Sequence, residues 1–244
     1  MKVEIINREE VEKLFETWGK FSSICYNTPE KYATRVGKSC FESGHFSGSR
    51  GINFKFKITG ISRACIDQLV RAEVGVSKNV MSGRYVDFSD FDYYTPPVIL
   101  KNKKAKEIYD KHMEYARNSY KEIVKLLNED GITGERAFEA ARGVAPMNHK
   151  SALVISFTIE ALINLMHKRL CVCAQHEIRM LAFEMRKEVT KILPELKPHL
   201  VAICEHTKYC PESPKRSCNR YPQKEVLDAL VLEYKKNNKK KVGK

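Results

Sequence analysis

The chain has 244 residues, 43% of them hydrophobic, which is enough for one large domain with a real core and argues against wholesale disorder. Its formal net charge is +13, part of it in the tail YKKNNKKKVGK (Tyr234 to Lys244), read as a frayed, solvated end. The basic surplus suits an anionic ligand, no apolar run is long enough to span a membrane, and MKVEIINREE does not read as a signal peptide, so a cytoplasmic protein is expected.

In chain order, KVEIIN alternates as a first strand, and residues 7 to 27 follow with helical spacing behind an Asn7 cap. INFKFKITG (Ile52 to Gly60) alternates apolar and polar residues as a half-exposed strand does. Gly60 and Ser62 then mark a strand-to-helix junction into SRACIDQLVRAEVGV. A long helix runs from Lys103 to Asn128, with Tyr109, Met113, Ala116, Tyr120, Ile123 and Leu127 forming one stripe. A short helix over Glu135 to Arg142 leads into GVAPMNHKS. The spans Ser151 to Leu170 and Ala174 to Leu196 read as two further helices, and Lys224 to Asn238 as a last amphipathic one. The sum is an α/β (α+β) fold: a single helix-rich domain over residues 1–222 with an antiparallel sheet, then a C-terminal helix and basic tail over 223–244.

Several segments carry chemistry. In SKNVMSGRY, Asn79, Ser82, Gly83 and Arg84 can offer amides, hydroxyls and a guanidinium to an oxyanion, although serine-rich turns are common. GHFSGS places His45 and Ser47 in a small-residue loop before a strand. Arg142 ends a helix, where an arginine also complements the helix dipole. Thr158 and Arg169, eleven residues apart, share nearly one helical azimuth, while Glu160 and Asn164 lie one turn apart on another line. Eight cysteines without an export signal read as core thiols or metal ligands. The spacing of Cys204, His206, Cys210 and Cys218 matches no common zinc knuckle, so free thiols are expected there.

Taken together, GHFSGSRG, SRACIDQLVRAE, SKNVMSGRY, RGVAP, and TIEALINLMHKRL followed by AQHEIR resemble the flavin-dependent thymidylate synthase (ThyX) family in order and spacing, over roughly residues 40 to 180. The resemblance implies a homotetramer of ThyX-type fold that binds FAD between subunits. It implies hydride from NADPH, a carbon from methylenetetrahydrofolate, and methyl transfer to C5 of dUMP without an enzyme nucleophile. Residue by residue, Arg169 would polarise the pyrimidine. Gln68, Arg71, Ser82, Gly83 and Arg84 would hold the nucleotide, and Arg142 would reach it from another subunit. His45, Ser47 and Asn164 would lie on the flavin side, in the company of Arg50, Glu73, Asn79, Thr158 and Glu160.

The sequence departs from the family pattern at three charges. Where the family has RHR, this chain has Arg71, Ala72 and Glu73, with one extra residue before Ser77. Arg50 and Gly51 replace Glu-His after the GH loop, and Thr158, Ile159 and Glu160 replace Asn-x-Arg. An exchange of charges, in which Arg50 pairs with Glu73 or Glu160, would keep the site balanced. Two alternatives stay open from the residues: a paralogue that modifies C5 of dCMP or UMP, and a flavin-free nucleotide binder. A nucleic-acid-binding module has only the net charge and lysine tail behind it, and no stacking aromatics interleave with the basic residues.

Overall fold

The computed structural model describes residues 1–242. Four strands form one antiparallel sheet in the order β1-β2-β4-β3: β1 (Lys2–Ile5), β2 (Phe54–Ser62), β3 (Val76–Val80) and β4 (Lys150–Phe157). Register decides which side chains share a face. Phe56 stands opposite Ile5 and Ile155, Ile58 opposite Val3 and Leu153, and Phe54 opposite Phe157. All six β2 and β4 residues in that set are fully or almost fully buried, each contributing about 1.5–3 kcal/mol through removal from water. The other face carries Lys55, Lys57, Val154, Ser77 and Asn79 and stays open in the single chain.

The helices in chain order are α1 (Arg8–Glu12), α2 (Leu14–Tyr26), α3 (Ala33–Glu42), α4 (Arg63–Leu69), α5 (Pro97–Leu100), α6 (Lys103–Glu129), α7 (Glu135–Ala141), α8 (Ile159–Arg169), α9 (His176–Ile192), α10 (Ile203–Thr207) and α11 (Lys224–Val242). Of these α1 to α4, α8 and α9 share the core on the sheet's apolar face. α9 buries Ile178, Leu181, Ala182, Met185 and Val189, a helical stripe facing the same core as the sheet. α2 and α3 add an aromatic cluster of Phe15, Trp18 and Phe41 with Phe46.

A second, smaller core forms where the α6 stripe meets Phe88 and Phe91 and the alanines of α7. Met113, Ala116 and Tyr120 are buried as their spacing requires, and the Tyr120 hydroxyl accepts from the Phe88 amide at 3.2 Å. This core fixes the position of Arg142 at the end of α7.

Three sequence expectations need correction. The span Ser151 to Leu170 is not one helix. Its first part is β4, and the helix starts after Thr158, whose hydroxyl accepts from the Ala161 amide as an N-cap. SALVISF places Leu153, Ile155 and Phe157 against the core but also Ala152 and Val154 on its other face, and a short, mostly apolar run looks alike in either state. The helix after Ser62 ends at Leu69 and does not run on through RAEVGV, and Val76–Val80 is a strand. Asn7 stands at the N-cap position of α1 but makes no capping bond, because its side chain bridges to the Asn53 carbonyl and the Lys55 amide instead. The basic tail continues the helix through Val242, and residues 243 and 244 lie outside the described residues.

Candidate active site

The site is organised around the junction of β2 with α4. Ser62 caps α4 by accepting from the Cys65 amide at 3.0 Å. Its own amide and hydroxyl donate to the Glu177 carboxylate at 2.7 and 2.5 Å. Glu177 is 2% exposed, so the pair ties the SRA segment to the AQHEIR helix deep in the core. Sequence reasoning used both motifs without connecting them. A glutamate on an otherwise apolar helix face was the signal.

α4 then carries Gln68, and the turn just after it Arg71, towards the C-terminal end of α8. There Arg169 is half-buried and donates from Nη2 to the Gln68 carbonyl at 3.2 Å. Burial, and secondarily the nearby Arg71, lower its affinity for the proton relative to a free guanidinium, which nevertheless stays charged. No carboxylate lies within ion-pairing distance of Arg169 among the described residues. Beside it, burial pushes the Cys65 thiol far up, with Glu177 adding to the shift and Arg169 opposing it. That thiol is held neutral and is no thiolate nucleophile.

The second group is the turn after β3. The Tyr85 and Val86 amides donate to the Ser82 carbonyl, and the Arg84 amide donates to Ser82 Oγ at 3.2 Å. Gly83 is required there: a Cβ would lie 2.8 Å from the Phe88 ring and 3.5 Å from Arg142 Cδ. Arg142 of the same chain therefore sits against this turn. Arg84 faces Glu135 at 3.7 Å and Glu139 at 3.5 Å, and Arg142 faces Glu139 at 3.7 Å. Glu139, one turn before Arg142 on α7, escaped the sequence reading although its spacing marks the pair.

The third group is the GH loop. His45, Ser47, Gly48, Arg50 and Glu160 line one depression of about 560 Å³ together with Phe21. Arg50 grips Glu160 in a two-pronged ion pair, Nε to Oε2 at 2.8 Å and Nη2 to Oε1 at 3.3 Å, which raises the arginine's own pKa. The charge exchange expected from the sequence is thus formed with Glu160. Both side chains keep contact with solvent, so the pair is a surface bridge.

Glu73 is exposed and forms no ion pair among the described residues. Its loop turns through Gly75 at φ +72, which presses on Thr158 and accepts the Thr158 amide at 2.8 Å. That left-handed glycine lets the loop with its extra residue enter β3. Asn79 lies on the open sheet face. Asn164 is exposed and lines a different cavity, beside Cys171 and Cys204. Among the described residues no hydrogen bond or ion pair joins the three groups to one another.

Arg169 has no carboxylate partner among the described residues, two arginines stand at a serine–glycine turn, and the depression sets an aromatic ring beside polar groups. Residues 9–195 match the family described as Thymidylate synthase complementing protein. The chain is 42% identical over 189 residues to a flavin-dependent thymidylate synthase of Nitratidesulfovibrio vulgaris, covering 78% of this chain and 77% of that one. It is 32% identical to the enzyme of the same name from Clostridium tetani (72% and 73% covered) and 31% identical to that of Pyrococcus furiosus (82% of each). The chain belongs to the flavin-dependent thymidylate synthase family.

Proposed function

We propose that this protein is itself a flavin-dependent thymidylate synthase that transfers a one-carbon unit from methylenetetrahydrofolate to C5 of dUMP. The observation that carries the reading is Arg169: a half-buried guanidinium with one backbone acceptor and no carboxylate partner among the described residues. Such a charge is free to favour negative charge developing on a pyrimidine ring in the transition state, in surroundings where it is weakly screened. The 42% identity to a flavin-dependent thymidylate synthase supports dUMP over the dCMP, UMP and flavin-free alternatives.

In this reading Arg84, Arg142, Ser82 and the Gly83 backbone receive the phosphate. The two guanidiniums turn from Glu135 and Glu139 to the ligand, which offers more acceptor oxygens. Gln68 and Arg71 flank the base beside Arg169. The depression fits a flavin by its donor set, an exposed Phe21 ring beside imidazole, hydroxyl and guanidinium groups. His45, Ser47, Arg50 and Glu160 would hold the FAD, with Thr158 and Glu73 nearer its edges; Asn164, on the wall of the other cavity, and Asn79, on the open sheet face, do not line this depression. These residues would orient the flavin, whose chemistry when bound would be to pass reducing equivalents from NADPH to the nascent methyl group. The neutral Cys65 leaves activation of the ring to polarisation by Arg169.

A homotetramer would bring the three groups of different chains together, and the open sheet face and unjoined groups support it. No helix among the described residues is long and apolar enough to cross a membrane, which supports a cytoplasmic location. The test is release of tritium from [5-³H]dUMP with FAD, NADPH and methylenetetrahydrofolate, run beside labelled dCMP and UMP. Release from dUMP alone is expected. Turnover of dCMP or UMP in its place would overturn the substrate.

A further inference from the structure

We infer that Cys171, Cys173 and Glu212 form a site for one zinc-class ion, which fastens the loop over residues 211–222 to the end of α8. The two sulfurs and a Glu212 carboxylate oxygen all lie within 4.8 Å of one another, and all three side chains are half-buried. Donors around a tetrahedral zinc ion stand about 3.5–3.8 Å apart, so the three need to draw in by no more than about 1 Å. They line one cavity of about 300 Å³, which leaves a fourth position to water. Thiolates select against magnesium and calcium, and a mixed sulfur and oxygen set suits zinc.

The backbone presents these donors from two turns. In the first, the Ala174 amide donates to the Cys171 carbonyl at 3.0 Å. Arg179 on α9 donates from Nη1 to the Val172 carbonyl at 3.4 Å, so the peptide between the two cysteines is held from outside the turn. In the second, the Arg216 and Ser217 amides both donate to the Ser213 carbonyl at 2.9 Å. Arg216 Nε then faces Glu212 Oε2 at 3.4 Å, the outer support that a ligating carboxylate needs. The Cys173 thiol donates to the Arg216 carbonyl at 2.9 Å, and its proton and that of Cys171 are what the ion displaces. Two thiolates and a carboxylate around a divalent ion leave a charge of about −1. Arg216, with Lys168 and Arg220 on the cavity wall, offsets it.

The loop has little else to hold it. No residue from 211 to 222 is buried, and its neck is tied where the Cys210 amide donates to the Pro222 carbonyl at 2.7 Å. A loop of this length without apolar burial is not ordered by packing, whereas a structural ion contributes its binding energy directly to folding. Cys171 follows Arg169 by two residues, so the ion also steadies the end of α8 that carries this arginine. The family match covers both cysteines and ends at residue 195, so the site joins the matched body to a segment beyond it. The inference does not depend on the enzymatic reading.

The experiment is a zinc titration of the full-length protein, freed of metal under reducing conditions, in competition with a chromophoric chelator. One zinc per chain with a Kd below about 1 μM is expected. Cys171→Ser, Cys173→Ser and Glu212→Gln should each weaken binding at least about ten-fold. Cys218→Ser, on the same cavity wall but outside the cluster, should leave it unchanged. Should the cluster variants fail to fold, cobalt(II) added to the wild-type protein decides: a thiolate-to-cobalt charge-transfer band with the visible bands of a four-coordinate ion supports the site, and their absence overturns it. Less than about a fifth of a zinc per chain, a Cys171–Cys173 disulfide under the same reducing conditions, or as large a loss in Cys218→Ser as in Cys171→Ser would each overturn the assignment.

Discussion

Arg169 and Arg50 carry the same charge in opposite circumstances. Arg169 is drawn into the protein with a single carbonyl for company, whereas Arg50 lies at the surface in a two-pronged grip with Glu160. The first stays available to a ligand because nothing has neutralised it. The second has its charge already answered by the protein, and solvent screens what is left. The comparison separates the part of the site that must act on a substrate from the part that has been rebalanced. Two family arginines stand as glutamates here and one acidic position as arginine, and in the proposed reading all three lie on the flavin side.

The difference can be pressed hardest at Arg169 itself. Arg169→Ala should lower kcat by about 10²–10³ or more with the melting temperature nearly unchanged. A variant that keeps near-normal turnover would remove the arginine from the chemistry. Next in size, Glu177→Ala should destabilise the fold by about 2–4 kcal/mol, because it strips a buried amide and hydroxyl of their acceptor. A melting transition within a degree of wild type would show that the Ser62–Glu177 link does not hold the α4 junction.

Arg84→Ala should act mainly on binding, raising the KM for dUMP about ten-fold with a smaller change in kcat. An unchanged KM would take the Ser82–Arg84 turn out of the phosphate cradle. The smallest effect belongs to the surface pair: a double-mutant cycle of Arg50→Ala and Glu160→Ala should give a coupling below about 1 kcal/mol in stability. A coupling of several kcal/mol would mean that the pair is shielded in the assembled protein, and the contrast with Arg169 would narrow.

Much of this was legible in the sequence. The alternation of Ile52 to Gly60, the serine junction at Ser62 and the stripe of α6 each had one physical reading, and the structure follows it. SALVISF did not, because Ala152 and Val154 put apolar side chains on its open face as well and blur the alternation that would distinguish it from a buried helix. At the site, the charge exchange of Arg50 was visible as an imbalance of signs, since an ion pair needs only two complementary residues. Its exposure was not, because burial depends on what packs around it. The gathering of Cys171 and Cys173 with Cys204, Cys210 and Cys218 was equally hidden: the first two lie more than thirty residues from the rest and meet them only through tertiary structure.

The central claim is that rebalancing the rim left the cofactor site intact. It is tested most directly by the visible absorbance spectrum of the purified protein, taken before and after adding FAD and removing the excess. The account predicts a flavin band corresponding to about one FAD per chain. A protein left colourless by the same treatment would contradict it, and would mean that the glutamates at positions 73 and 160 had dismantled the redox half of the site.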